Sequence, residues 1–363
     1  ARYTVAREQS SLRTSRAGQV LSVNPPSLAD TAQRVPPGTA LIEYGLLEGK
    51  LTAFVITAAN TQQLSWVADT EALRRDTLRL HRAAQNPAST DVAELIATVS
   101  ASLIKPLAAA IPAGITNLLI VPSAYLNYIP FGMLLTPDGN PLLTRFAVGY
   151  LPSAGALQYL HPRKPGLQGL FLGALGNQSA DGMPPLPGTI AETEAIRKVY
   201  PAAKLLSGAA FTHDSARAAL LSNAHVHFAT HGLLDEEAPL FSALLTGPSP
   251  NNPSRLSLYE LTGLPLRATT VVLSACETGL GTMQGGDEIS GLTRTLLTAG
   301  ADTVVSSLWK VSDESTALLM TNFYRRLNQG AAPAESLREA ALAVRKIYPH
   351  PFYWAPFIVT GVN

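Results

Sequence analysis

Along the chain, apolar positions switch repeatedly between a period of two and a period near 3.6, the signature of strands alternating with helices. After Pro36-Pro37-Gly38, "ALIEYGLLEGKLTAFVIT" predicts a hairpin turning near Glu48-Gly49-Lys50, and "QLSWVA" predicts a further strand. "TEALRRDTLRLHRAAQ" and "DVAELIATVSASLIKPLAAAI" read as helices, the second opening on an Asp. "NLLIVP" is a short buried strand, "SAYLNYIPFGMLL" a loop and turn, and "TRFAVGYLPSAGAL" holds another strand. A Pro/Gly-rich break follows at "HPRKPGLQG", residues 161–169.

Beyond the break the alternation is more regular. "GLFLGAL", "AKLLSG", "HVHFATHG", "LFSALLTG", "TTVVLSACETG", "DTVVSSLW" and "PFIVTG" predict strands. "IAETEAIRKVYP", "DSARAALLS", "DESTALLMTNFYRRL" and "AESLREAALAVRKI" predict helices, with Asp214 as N-cap of the second. A further helix carries Ile289, Leu292, Leu296 and Leu297 on one face and stops at Gly300. Strands rich in Val, Leu and Ala, each followed by a helix, imply an α/β fold with a largely parallel sheet covered on both faces. The expected division is a tail or linker over 1–35, one half over 36–160 and a second half over 165–363.

Composition narrows the class. Hydrophobic residues make up 46% and charged residues 15% of 363, which is well-packed globular material. Basic and acidic residues number 27 and 26 without long runs, so no electrostatic footprint for nucleic acid or an anionic membrane is visible. The most apolar stretch, "LAAAIPAGITNLLIVP", is broken by Pro112, Gly114 and Asn117 and falls short of about 20 apolar residues. The start is polar and Arg-containing, with no apolar run of a secretory signal. It lacks an initiator Met, and the expectation is a fragment with a module once attached upstream. A single cysteine, Cys276, excludes an intrachain disulfide framework and makes a reducing, cytoplasmic setting the default.

That cysteine also carries the candidate chemistry. In parallel α/β sheets, ligands sit outside the carboxyl ends of the strands. "HVHFAT" delivers His231 to such an end and "TTVVLSA" delivers Cys276. If the two strands are neighbours, an imidazole and a thiol emerge on one edge. The imidazole promotes the thiolate, the thiolate attacks a carbonyl, and the imidazole then protonates the leaving amine. Gly232 allows close backbone approach, and the N–H groups of Gly232 and Cys276 are candidate oxyanion donors. The glycine-rich "GLGTMQGGDE" reads as a loop that closes over a substrate. Alone, a cysteine after a buried strand is commonly an inert core residue and a histidine commonly a structural one. Their pairing at adjacent strand ends favours chemistry. His225 and His227 lie within their strand and take the structural reading. Zinc lacks the usual four-ligand spacing.

"HVHFATHG", "VVLSACETGLG" and "GADTVVSSLWKVSD" together resemble the CHAT domain of the caspase-like (clan CD) cysteine peptidases, relatives of caspases and separase. "PPGTALIEYGLLEGKLTAFVIT", "LLIVPSAYLNYIPFGMLL", "PPLPGTIAETEAI" and "HPFYWAPFIV" extend the resemblance over roughly residues 36 to 363. It implies that His231 and Cys276 are the dyad, that 36–160 is a catalytically silent caspase-like half, and that tetratricopeptide repeats or a sensor module stand upstream. It also implies latency until a partner reorders the site. The chemistry requires no metal or organic cofactor, and the expected partner is a protein substrate. Separase-like relatives place an acid in a pocket for a basic P1 side chain, in the segment matching "SSLWKVSDES". Asp313 is the candidate acid, Trp309 a candidate wall and Glu277 a second acid. Against these stand a helix-capping role for Ser312 or Asp313, an opposing Lys310, and a solvated loop charge for Glu277. A degenerate scaffold module and a thiol acyltransferase are the alternative functions.

Overall fold

Alternation along the central strands divides the protein into two cores, one on each face of a sheet. The computed structural model describes residues 27–158, 160, 168–233, 235, 239–249, 254–274, 291–310 and 312–362. Its strands are β1 (Thr39–Leu47), β2 (Lys50–Ile56), β3 (Thr61–Val67), β4 (Asn117–Val121), β5 (Ala147–Tyr150), β6 (Leu170–Ala174), β7 (Lys204–Ser207), β8 (His225–Ala229), β9 (Gly232–Leu233), β10 (Ala243–Leu245), β11 (Arg255–Ser257), β12 (Thr270–Leu273), β13 (Thr303–Ser307) and β14 (Phe357–Gly361). Eleven of them form one sheet in the order β3-β2-β1-β4-β5-β14-β13-β12-β8-β6-β7, and β11-β10-β9 form a small second sheet.

Leu170, Leu172, Val272 and Val305 join one core, whereas Phe171, Val271, Leu273 and Val304 join the other. This is what a period of two produces when both faces are covered. On the first face pack α2 (Thr70–Ala84), α3 (Val92–Leu103), α4 (Gly188–Val199), α8 (Asp313–Asn328) and α9 (Pro333–Ile347). The second face is covered by α5 (His213–Ser222), α6 (Leu258–Thr262) and α7 (Gly291–Ala299), with α1 (Leu28–Arg34) beside them. Among the described residues no helix is long and apolar enough to cross a membrane.

The two halves share the sheet. β14 pairs antiparallel with β13 over five residues and parallel with β5 through Val359–Gly149 and Thr360–Tyr150. The C-terminal strand is therefore the seam. Because β14 runs against β13 but with β5, strands β1, β4 and β5 point their carboxyl ends to the edge opposite that of β8 and β12.

Three expectations need correcting. The segment 1–35 is not wholly a tail: α1 forms there, with the Ser27 hydroxyl accepting from the Asp30 N–H at 3.1 Å, while 1–26 lie outside the described residues. "LFSALLTG" contributes only β10, in the small sheet, after a turn of 3-10 helix. The N-cap of α5 is Thr212, whose Oγ1 accepts from the Ser215 N–H, and Asp214 stands in the first turn. The expected hairpin is present, with Gly49 at φ 69° in the turn between β1 and β2, a conformation glycine adopts without strain.

Candidate active site

The condition placed on the two candidate strands is met. β8 and β12 are direct parallel neighbours, with His225 opposite Thr270 and Phe228 opposite Leu273. His231 and Cys276 each stand three positions past that last registered pair in sequence. β12 is followed through Ser274, whose N–H donates to the Phe228 carbonyl at 2.9 Å. Cys276, its N–H as an oxyanion donor, Glu277 and the "GLGTMQGGDE" loop lie outside the described residues.

His231 is buried, with 8% of its surface exposed. Its Nε2 is 2.8 Å from the Pro184 carbonyl oxygen. A carbonyl only accepts, so Nε2 carries the proton and Nδ1 keeps a lone pair in the neutral ring. That is the tautomer a general base needs, and it is set by a loop the sequence reading did not single out. The loop is held firmly at both ends. The Leu175 N–H donates to the Ala229 carbonyl at 3.0 Å, and the Leu186 N–H donates to the Gly176 carbonyl at 2.7 Å. Thr189 accepts from the Gly176 N–H and donates to the Leu186 carbonyl. Asp181 in the same loop pairs with Arg255 of β11. Past His231 the chain enters the small sheet: the His231 carbonyl accepts from Leu245, and the half-buried Gly232 pairs with Leu244.

Beneath these strand ends lies a buried polar cluster that sequence reasoning missed. Glu192 on α4 is 4% exposed, and its Oε1 accepts from the Ser274 hydroxyl at 2.7 Å. The same oxygen is 3.3 Å from His227 Nε2, close enough to pair but poorly aligned for a hydrogen bond. His227, fully buried, has its Nδ1 3.1 Å from the hydroxyl of Tyr324 on α8. Burial first, then the nearby charge of Glu192, raises the Tyr324 phenol well above its usual range, so it keeps its proton. An oxygen that accepts from Ser274 and also faces Nε2 assigns the imidazole proton to Nε2, and Tyr324 then donates to Nδ1. The available signal was the alternation of β8: Val226 and Phe228 face one core, so His227 must face the other. An acid on α4 is recognisable as its partner only once the face of α4 is known.

The proposed pocket residues are placed differently from one another. Asp313 is exposed in the first turn of α8, and Ser312 occupies the N-cap without a side-chain hydrogen bond, so the capping alternative gains no support from Ser312. The Asp313 carboxylate lies where a Cβ at Gly188 would be, beside the first turn of α4 and close in sequence to Pro184. It is thus brought to the segment that orients His231. Trp309 is corrected: it is 1% exposed, donates its indole N–H to the Phe352 carbonyl at 3.2 Å, and packs edge-on to His81, so it is a core residue with no face to offer a side chain. Lys310 is exposed. Among the described residues no three His, Asp or Glu side chains are grouped to hold a metal ion.

A family model described as the CHAT domain matches residues 93–362. Tetratricopeptide repeat protein 28 of Mus musculus is 25% identical over 300 residues, covering 68% of this chain and 12% of that protein. Its Homo sapiens counterpart is 24% identical over 298 residues with the same coverage. The chain therefore spans 12% of the length of these relatives. In the crystal structure of the Saccharomyces cerevisiae separase-securin complex, one chain superimposes with a TM-score of 0.61 at 10% identity, over 92% of this chain and 30% of that one. At that identity the likeness speaks for the fold, the caspase-like α/β fold found in separase.

Proposed function

The chain belongs to the CHAT domain family, and from that premise we propose that it is a cysteine endopeptidase cutting a protein substrate with a His231–Cys276 dyad. The observation that carries the reading is the pairing of β8 with β12, together with the Pro184 carbonyl on His231 Nε2. In this mechanism Nδ1 takes the thiol proton and the thiolate attacks the scissile carbonyl. N–H groups of Gly232 and Cys276 receive the developing oxyanion. The Pro184 carbonyl supports the imidazolium, which then protonates the departing amine. Water, deprotonated by the same Nδ1, releases the acyl group and restores the thiol.

A basic P1 residue is the proposed preference. Asp313 is its acid, supported by its position beside Gly188, and Glu277 is the second candidate. Regulation by an upstream repeat module is supported by relatives that are named for tetratricopeptide repeats and are far longer than this chain. The test is exposure of the protein and its Cys276→Ala variant to a protein library, with new amino termini mapped by mass spectrometry. Termini made only by the Cys276 form, and labelling of Cys276 by a peptide electrophile, are expected. Equal termini from both forms would sink the mechanism. An unlabelled thiol and no termini, with or without a repeat-containing partner, would favour a scaffold; a transferred acyl group without new termini would favour an acyltransferase.

A further inference from the structure

The strand ends that lead to the proposed dyad are tied together from below by side chains of four different elements. Ser274 follows β12, Glu192 lies on α4, His227 on β8 and Tyr324 on α8. Around them the same face is hydrocarbon: Leu172, Val272 and Val305 are all fully buried there. A buried carboxylate in such a place costs stability unless it is paired, and an apolar side chain would fill the space at lower cost. Its contacts with groups on two neighbouring strands point to a use beyond packing.

The geometry of Ser274 supplies one. Its backbone N–H is fixed by Phe228 on the neighbouring strand, and its hydroxyl by Glu192 on the covering helix. The residue is thereby held in two directions at the point where β12 leaves the sheet, two positions before Cys276. Glu192 in turn cannot rotate freely, because the oxygen it offers Ser274 also faces His227, and His227 is held by Tyr324. His227 lies on the strand that ends in His231. One carboxylate therefore references both strand ends to the same two helices.

We infer that Glu192 is a positioning residue for the dyad, acting through Ser274 on the cysteine strand and through His227 on the histidine strand. This rests on the dyad reading above. Neither Glu192 nor Ser274 is assigned a contact with substrate. Their effect is on the distance and angle between the thiol and the imidazole, where a displacement near 1 Å costs on the order of a hundredfold in rate.

The test compares the full chain with Ser274→Ala, Ser274→Thr and Glu192→Gln. Three quantities are measured: peptide hydrolysis, the pH profile of Cys276 alkylation by iodoacetamide, and thermal unfolding. Ser274→Ala removes one oxygen and is expected to lower kcat by about tenfold to a hundredfold with KM little changed. It is also expected to move the alkylation profile toward that of a free thiol, near pH 8.5. Ser274→Thr keeps the hydroxyl and should recover most of the loss. Glu192→Gln keeps an acceptor for Ser274 and should fall between them. An active wild type whose Ser274→Ala and Glu192→Gln variants match it in kcat and alkylation profile overturns the inference alone. A loss of kcat that parallels a loss of folded protein, unrescued by Ser274→Thr, also overturns it in favour of a packing role. A wild type whose Cys276 alkylates as a free thiol and hydrolyses nothing overturns the dyad reading, and this inference with it.

Discussion

Two buried histidines, one in each half, show how differently the halves treat polar groups. His81 on α2 is 2% exposed; its Nδ1 meets the Tyr128 carbonyl at 3.1 Å, while its Nε2 has no hydrogen-bond partner among the described residues. His227 is as deeply buried and its Nε2 likewise makes no well-aligned hydrogen bond, yet both of its ring nitrogens face polar side chains, Tyr324 on one side and Glu192 on the other. The first half closes the carboxyl ends of its strands with apolar turns. After β4 the chain buries Leu126, Tyr128, Phe131 and Met133, and the Tyr150 hydroxyl at the end of β5 accepts from the Phe131 N–H and donates to the Ile129 carbonyl. The second half ends its central strands on Ser274, Thr230 and His231, all held by specific partners. Where chemistry is proposed, the strand ends carry polar side chains packed against one another; where none is proposed, the same sheet is capped with hydrocarbon.

Substitution of the two histidines by leucine breaks or upholds that contrast most sharply. His227→Leu leaves the Tyr324 hydroxyl without its acceptor and the Glu192 carboxylate with Ser274 alone; each buried polar group left short of a partner costs about 1–3 kcal/mol, and more where it is charged. His81→Leu removes one hydrogen bond but also an unsatisfied nitrogen whose burial costs about 1–3 kcal/mol, so stability should stay within about 1 kcal/mol of wild type. Urea unfolding measures both, read as a shift in midpoint at constant slope. Equal costs at the two sites would show that the second cluster is packing like any other.

Acid gives the next largest difference. Burial pushes His81 down to about 4, against roughly 6.5 in the unfolded chain, and His225 at the start of β8 is lowered to about 4 for the same reason. A depressed histidine binds its proton more readily when unfolded. Its contribution is complete above about pH 6.5, is lost as the pH falls toward 4, and changes little below that. For a group as buried as His81 the loss amounts to roughly 3 kcal/mol. His81→Leu should remove that share and leave the part due to His225. A variant with the full wild-type acid slope between pH 6.5 and 4 would show that His81 is not the titrating group.

Most of the fold could be read from the chain because its strands obey simple periodicity. "VVL" before Ser274 and "HVHFA" before Thr230 are buried runs that can only be central strands of a covered sheet. The glycine and polar residues after them mark strand ends, which is why His231 and Cys276 stood out. Two kinds of feature were hidden. Side chains that pair across three elements, such as Glu192 with His227 and Ser274, require the face and rotation of a helix, which periodicity leaves open by a residue in either direction. A backbone acceptor such as Pro184 carries no side-chain signature at all; only the proline-rich "PPLPG" hinted at a fixed loop. Trp309 was misjudged for a related reason. An aromatic after a strand fits a pocket wall and a core anchor equally well in sequence, and its contact with His81 of the other half decides for the core.

A pair of glycines provides the finest test of the same contrast. At Gly132, in the capped turns of the first half, an added Cβ would meet only the Leu143 side chain, at 3.6 Å and beyond, which is ordinary contact. At Gly188 a Cβ would collide with the Asp313 carboxylate. Asp313 is exposed and can swing aside, so both Gly132→Ala and Gly188→Ala should alter stability by less than about 1 kcal/mol. Their effects on recognition should differ. Gly132→Ala should leave the P1 profile alone, whereas Gly188→Ala moves the proposed pocket acid and should reduce cleavage after Arg and Lys by about threefold relative to other residues, the size expected of an exposed charge contact. Asp313→Ala should produce at least as large a selective loss. A peptide-library profile unchanged in both Gly188→Ala and Asp313→Ala would remove Asp313 from substrate recognition and leave it as a contact between α8 and the first turn of α4.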